Sequence, residues 1–167
     1  MSKGTTMMQA RTEDNNEMAA ATPPESIITV ETRFGAINFG PKNIIHFPQG
    51  LIGLPQSKRF GLSPIPDPRM GQFMILQSLD DFALSFLVLP LQIGPKSVSP
   101  EDAAEACAAL AVPVDDADFF TVVTLRQGEQ GLSVSINLRA PIIVDAKSHI
   151  ARQYVLNNRK YPIRQML

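Results

Sequence analysis

The 167-residue sequence contains one cysteine, Cys107, two histidines, His46 and His149, and no tryptophan. A single cysteine excludes a disulfide bond within the chain. Together with two histidines it offers too few ligands for a closed zinc site unless carboxylates take part. The composition therefore predicts a reduced, cytoplasmic globular protein that binds no metal and no cofactor.

Neither sign of charge is in surplus, and long apolar runs are missing. Fifteen lysines and arginines face sixteen aspartates and glutamates, which leaves a formal net charge of −1. A protein that binds nucleic acid through its phosphates needs a clear excess of basic side chains. The apolar run 86–91 is far shorter than the roughly 18 residues of a membrane span, and residues 1–25 contain no apolar core of a signal peptide. The sequence therefore predicts no general binding to nucleic acid and no membrane segment.

The residue patterns of common catalytic sites are also missing. A nucleophilic triad needs a base that titrates near neutral pH. His46 lies among apolar neighbours in a predicted strand, and His149 lies in a polar, basic segment. Cys107 falls on the apolar stripe of a predicted helix, which is typical of a buried, unreactive thiol. Adjacent Asp80 and Asp81 are expected to point apart into water, and no glycine-rich phosphate loop is present. The sequence predicts a protein that is not an enzyme.

Enough apolar residues are present to form a hydrophobic core. Hydrophobic residues make up 44% of the chain and charged residues 19%. The polar residues 1–25 are expected to form a disordered tail, and 26–167 a single barrel-like domain. From Ile27 onward, apolar and polar residues alternate with a period of two, which is typical of half-buried strands. The predicted strands are 27–34, 36–39, 44–47, 59–62, 73–78, 84–89, 119–125, 132–138 and 141–144, with loops at 63–71 and 126–131.

One segment has the pattern of a helix. Ser99 suits the N-cap, Pro100 suits the first helical position, and Pro113 ends the pattern. The apolar stripe consists of Ala103, Ala106, Cys107 and Leu110. Many short strands with one helix near 99–112 predict an all-β, mainly antiparallel fold, either a small barrel or a sandwich.

The C-terminal segment is basic. No acidic residue follows Asp145, whereas five lysines and arginines do. A small barrel that binds nucleic acid through 152–164 is therefore an alternative, although such binding needs exposed aromatic residues for stacking and we expect this segment to be solvated. A barrel that binds a small molecule is a third hypothesis.

Four segments carry a pattern beyond that of strands and turns: ETRFG at 31–35, IIHFPQGLIGL at 44–54, FMILQSLDDFALSFLVLP at 73–90 and VSINLRAPIIVDAKSHIARQYVL at 134–156. Read together and in this order, they resemble the flagellar assembly factor (FliW) family. The acidic turn after LQS is the most distinctive. This chain has Leu54 where the family more often has phenylalanine, and Leu89 where it more often has aspartate.

The resemblance implies a non-enzymatic factor with a β-barrel-like fold that binds other proteins. Members of this family bind the translational regulator CsrA and stop it from repressing flagellin mRNA. They also bind flagellin, so that the two partners compete. The resemblance therefore implies CsrA and flagellin as partners and a role as a chaperone-like antagonist of CsrA in flagellum biogenesis.

Electrostatics suggest where such a partner binds. A regulator that grips RNA is basic on its binding surface, so an acidic surface would attract it. Our first candidate is the acidic turn of Asp80 and Asp81 with Phe82 as an apolar anchor. The reserve candidate is a second cluster of three aspartates, and both clusters are equally compatible with ordinary solvated turns. Arg33, on the polar face of the first predicted strand, is a further candidate contact. The reserve cluster consists of Asp115, Asp116 and Asp118.

Overall fold

The computed structural model describes residues 26–167, so the predicted tail lies outside the described residues. This part of the chain forms eleven β-strands and one α-helix. The strands are β1 (Ile28–Thr32), β2 (Gly35–Phe39), β3 (Ile44–His46), β4 (Arg59–Pro64), β5 (Met74–Ser78), β6 (Ser85–Pro90), β7 (Ala117–Gly128), β8 (Gly131–Ile136), β9 (Ile142–Asp145), β10 (Ile150–Gln153) and β11 (Gln165–Met166); the helix is α1 (Pro100–Leu110).

Strand β7 closes the sheet into a barrel. One edge of β7 pairs with β6, and the other edge is shared between β9, along 117–120, and β8, along 123–128. The order β7-β6-β5-β4-β3-β10-β9 therefore returns to β7, while β8 and β11 extend beyond the ring. Among the described pairings, only that of β3 with β10 is parallel. The prediction of an all-β, mainly antiparallel barrel with one short helix is confirmed.

The barrel wall is buried on both sides. In β6, Leu87 packs into an outer apolar cluster and Val88 into the barrel interior; in β5, Ile75 and Leu76 divide in the same way. The interior side chains leave a void of only about 10 Å³. A void of that size holds one water molecule at most, so the interior has no room for the small molecule of the third hypothesis.

The outer cluster is covered by the β1–β2 hairpin and by α1. Phe39 of β2 is fully buried and packs closely against β4, where a Cβ atom at Gly61 would come within 2.2 Å of its ring. From α1, the buried side chains are Ala103, Ala106 and Cys107. The prediction of a buried Cys107 is confirmed, and burial raises the pKa of its thiol.

The helix has the predicted start but a different end. The Ser99 side chain accepts a hydrogen bond from the Asp102 backbone N–H, and Pro100 opens the first turn. Helix α1 ends at Leu110, because Ala111 adopts a left-handed conformation with φ of 55°. The left-handed Ala111, and not Pro113, therefore ends the helix. Alanine rarely adopts the left-handed conformation, so the sequence gives no signal for this end.

Two sequence predictions about the later strands are wrong. The predicted loop 126–131 is mostly strand, since Gly128 pairs with Gly131 and only two residues form the turn. Its polar residues form a ribbon that extends past the barrel, and backbone pairing there needs no buried face. The sequence predicts neither β10 nor β11, because the first takes its place between β9 and β3 in the closed barrel and the second has only two residues.

Candidate functional site

The acidic turn between β5 and β6 is built on a buried glutamine. Gln77 is 1% exposed, and its Nε2 atom donates to the carbonyl oxygens of Ser78, Phe82 and Leu84 at 3.0–3.1 Å. A side-chain amide that satisfies carbonyls on both sides of a turn fixes the path of the backbone between them. Gln77 therefore sets the shape of the turn.

A second buried polar residue holds the start of the turn. Ser78 is fully buried, and its Oγ atom accepts from the backbone N–H groups of Asp80, at 3.3 Å, and Asp81, at 3.0 Å. Sequence reasoning missed Gln77 and Ser78 as functional residues. The available signal was the presence of two adjacent polar residues at the end of an otherwise apolar strand.

The carboxylate of Asp80 is hydrogen-bonded to other groups of the protein. It accepts from the backbone N–H groups of Lys58 and Arg59, both at 2.8 Å, and from Nε of Arg59 at 3.0 Å. Burial opposes the charge, but the hydrogen bonds from Arg59 and Lys58 outweigh it and lower the pKa of Asp80. Asp80 thus ties the acidic turn to the start of β4. The expectation that both aspartates point into water is wrong for Asp80.

Asp81 and Phe82 follow Asp80 in the turn, and both are exposed. Asp81 Oδ1 accepts from the backbone N–H of Ala83 at 3.0 Å, which leaves the rest of its carboxylate free. Phe82 is 58% exposed. The turn thus places a carboxylate next to an exposed aromatic ring, on a backbone fixed by buried hydrogen bonds. Such a pair is suited to contact a surface that combines positive charge with an apolar recess.

The reserve cluster lies at the opposite end of the barrel. Strand β6 starts at the acidic turn and runs to Pro90, which pairs with Phe120 near the start of β7. Its six residues span about 17 Å. Asp115 and Asp118 are exposed, whereas Asp116 forms an ion pair of 2.8 Å with Lys147. The two acidic clusters therefore do not form one surface.

Arg33 belongs to neither acidic cluster. Strand β1 ends at Thr32, so Arg33 occupies the turn of the β1–β2 hairpin, and the prediction that it projects from a strand is wrong. Its guanidinium carbon lies 5.7 Å from the centre of the Phe34 ring, a cation–π contact within the hairpin. Its role in partner binding stays a prediction.

The histidines are not gathered with other ligands. His46 is exposed at the end of β3, and His149 is partly buried in the turn before β10. Within residues 26–167, no group of three histidine, cysteine, aspartate or glutamate side chains could hold a metal ion. Over the same residues, no helix has both the length and the apolar character needed to cross a membrane.

The basic C-terminal segment is anchored to α1 at Tyr161, while most of its other residues are exposed, as the sequence predicts. Tyr161, only 4% exposed, donates its hydroxyl to Asp102 and accepts from the backbone N–H of Ser99. Lys160 pairs with the same carboxylate at 2.9 Å. Hydrogen bonds from Tyr161 and Lys160 lower the pKa of Asp102 to about 2. The segment therefore offers no tyrosine ring at 161 for stacking with bases.

The chain is similar to known proteins along nearly all of the described part. The model of a family described as FliW protein matches residues 28–167. The flagellar assembly factor FliW of Geotalea uraniireducens (strain Rf4) is 31% identical over 133 residues, which cover 80% of this chain and 79% of that protein. The protein of the same name from Desulfitobacterium hafniense (strain Y51) is 34% identical over 140 residues, which cover 81% of this chain and 88% of that protein.

A solved structure has the same fold. The crystal structure of a flagellar assembly factor FliW superposes with a TM-score of 0.61 at 22% sequence identity. The match covers 84% of this chain and 96% of that chain. At this level of identity the likeness concerns the fold, and it agrees with the barrel described above.

Proposed function

Because the chain belongs to the FliW family of flagellar assembly factors, we propose that it acts in the cytoplasm by binding proteins, without catalysis, and that CsrA is one partner. Binding of CsrA would keep this regulator from flagellin mRNA and so relieve the repression of flagellin translation. Flagellin would be the alternative partner, and its binding would release CsrA.

The observation that carries the proposal is the exposed pair of Asp81 and Phe82 on a fixed turn. Buried hydrogen bonds from Gln77 and to Ser78 fix the backbone of the turn, so little conformational entropy is lost when a partner binds the pair. An aromatic side chain that is 58% exposed has much apolar area to bury in a complex. This combination supports a contact surface for a protein.

The charge of Asp81 suits a regulator that binds RNA. The RNA-binding surface of such a protein is basic, since it must neutralise phosphates. A carboxylate on the approaching protein speeds the encounter and opposes RNA in the complex. Asp80 contributes less to this attraction, because its charge is paired with Arg59.

Calorimetric titration of purified CsrA into the protein tests the proposal. Phe82→Ser should weaken the complex by about thirtyfold or more, as removal of a central aromatic anchor does. Asp81→Asn keeps the hydrogen bond to Ala83 and removes only the charge, so it should weaken the complex and reduce the dependence of its affinity on salt. Leu132→Ser, at a residue 61% exposed on β8, is the matched control for Phe82.

The reserve cluster and the second partner are tested in the same experiment. Asp115→Asn, at the far end of the barrel, should leave CsrA affinity unchanged. If Asp115→Asn weakens the complex while Phe82→Ser does not, the proposed surface is wrong. Prior addition of flagellin should prevent the heat of CsrA binding, and simultaneous binding of both proteins would contradict the competition.

A further inference from the structure

A second exposed apolar surface lies on the same end of the barrel as the acidic turn. Ile52, Val155 and Ile163 are 59%, 50% and 68% exposed. They line one shallow depression of about 330 Å³. Ile52 lies about 100 residues before Val155 and Ile163 in the sequence, so the depression is a product of the tertiary fold. We call it the Ile52 depression.

The floor of the Ile52 depression is held by side-chain amides. Gln153 accepts from the backbone N–H of Ile52 at 3.1 Å and donates to the carbonyl of Ala140, also at 3.1 Å. Asn137 Oδ1 accepts from the backbone N–H groups of Arg139 and Ala140. These polar groups satisfy one another, so the floor is rigid and the aliphatic walls are left uncovered.

The chain segments that border the Ile52 depression carry basic side chains and no acidic ones. The three segments that border it, 47–58, 131–144 and 146–167, contain no aspartate or glutamate. Arg139 lines the depression itself, and its Nη1 atom donates only to the carbonyls of Asn158 and Tyr161, which do not neutralise its charge. Arg164 is the next residue after Ile163 and is exposed.

We propose that the Ile52 depression is a docking site for an acidic segment of a partner protein that also carries large apolar side chains. The apolar side chains would cover Ile52, Val155 and Ile163, and the carboxylates would face Arg139, which lines the depression. This surface is opposite in charge to the pair of Asp81 and Phe82. It therefore serves a partner segment of different chemistry, and the proposal does not depend on the binding of CsrA.

The two surfaces share a border. Lys58, at the end of the loop 47–58, donates its backbone N–H to Asp80, while Ile52, in the middle of the same loop, bonds to Gln153. One loop thus lies between the acidic turn and the Ile52 depression. A partner segment seated in the depression would lie next to a partner on the acidic turn.

A protein segment fits the Ile52 depression better than RNA does. Its exposed walls are aliphatic, and RNA binding relies on aromatic rings for stacking. Tyr161 is 4% exposed, and Tyr154 packs against the outer apolar cluster. Burial of three aliphatic side chains would favour a partner that is itself apolar, which a phosphate backbone is not.

Selection from a phage-displayed library of short random peptides tests the proposal. The full chain is the target, and the double variant Ile52→Ser/Ile163→Ser is the counter-target. Enriched peptides should combine aspartate or glutamate with leucine, isoleucine or phenylalanine. Enrichment of basic peptides, or no enrichment over the counter-target, would overturn the proposal.

Direct binding of one enriched peptide, with a fluorescent label, completes the test. The double variant should weaken binding by about tenfold or more, while Leu132→Ser should not, and thermal unfolding checks that each variant is folded. Arg139→Gln should weaken binding and reduce its dependence on salt. A short single-stranded RNA should not displace the peptide; displacement that depends on Arg139 would overturn the proposal in favour of nucleic acid.

Discussion

The carboxylate of Asp80 reaches Arg59 twice, accepting from its backbone N–H at 2.8 Å and from its side-chain Nε at 3.0 Å. The neighbouring Asp81 has its contact within the turn itself, to Ala83. The two adjacent aspartates of this turn therefore have different structural roles. Asp80 fixes the turn against β4, and Asp81 is left to present its charge to solvent.

Loss of the Asp80 carboxylate should destabilise the fold. In Asp80→Ala, the N–H groups of Lys58 and Arg59 lose their acceptor, and we expect the free energy of unfolding to fall by about 1–3 kcal/mol. Asp81→Ala, which frees only one exposed N–H group, should change it by less than about 1 kcal/mol. Urea titration followed by circular dichroism measures both. Equal losses in the two variants would contradict the division of tasks.

Loss of the Gln77 amide should deform the acidic turn. Gln77→Met has similar volume but no donor, so the carbonyls of Phe82 and Leu84 lose a buried partner, at a cost of about 2–3 kcal/mol. The affinity for CsrA should fall in the same variant, because Phe82 no longer has a fixed position. Gln127→Met, on the exposed ribbon of β7, is the control. A Gln77→Met variant with unchanged unfolding and unchanged CsrA affinity would show that the amide does not shape the turn.

The end of α1 offers a stabilising substitution. Ala111 has a φ of 55°, a conformation that glycine adopts without steric cost. Ala111→Gly should raise the free energy of unfolding by about 0.5–1 kcal/mol, net of the greater freedom of glycine in the unfolded chain. Ala104→Gly, exposed inside the same helix, should lower it by about 1 kcal/mol. A change of the same sign in both variants would contradict the left-handed end of the helix.

Acid should loosen the docking of the C-terminal segment through Asp102. The pKa of this carboxyl is lowered from 3.8 to about 2 by hydrogen bonds from Tyr161 and Lys160. A lowered pKa means that its contribution to stability is complete above pH 3.8 and is lost as the pH falls toward 2.

Urea unfolding between pH 5 and about 2 measures this loss. The variant Asp102→Asn lacks the titrating group, so its stability should depend less steeply on pH over that range than that of the wild-type protein. An identical slope for Asp102→Asn would contradict the role of this carboxylate.

The strands with regular alternation and the helix could be predicted from the sequence, since their signals are local. In β6 nearly every residue is apolar, which is typical of a strand buried on both faces. Strand β10 carries no such signal, because its residues pair with β9 and β3 only after the barrel has closed. The same holds for the C-terminal segment, whose polar residues meet α1 from positions more than 50 residues away.

The location of the acidic turn could be predicted from the sequence, but the different contacts of its two aspartates could not. The motif LQSLDDF located an acidic turn, and Phe82 is exposed as an apolar anchor should be. Nothing in the motif distinguishes Asp80 from Asp81, since the partners of Asp80 are 21 and 22 residues away. The placement of the reserve cluster at the opposite end likewise depends on the direction of β6 and β7, which only the fold reveals.

Translation of flagellin mRNA in a cell-free system, repressed by purified CsrA, is the most direct measurement of the proposed role. Addition of the wild-type protein should restore flagellin synthesis, and the variant Asp81→Asn/Phe82→Ser should not, although Leu132→Ser should. If the wild-type protein leaves translation repressed, or if the double variant restores it equally well, binding of CsrA through the acidic turn is contradicted.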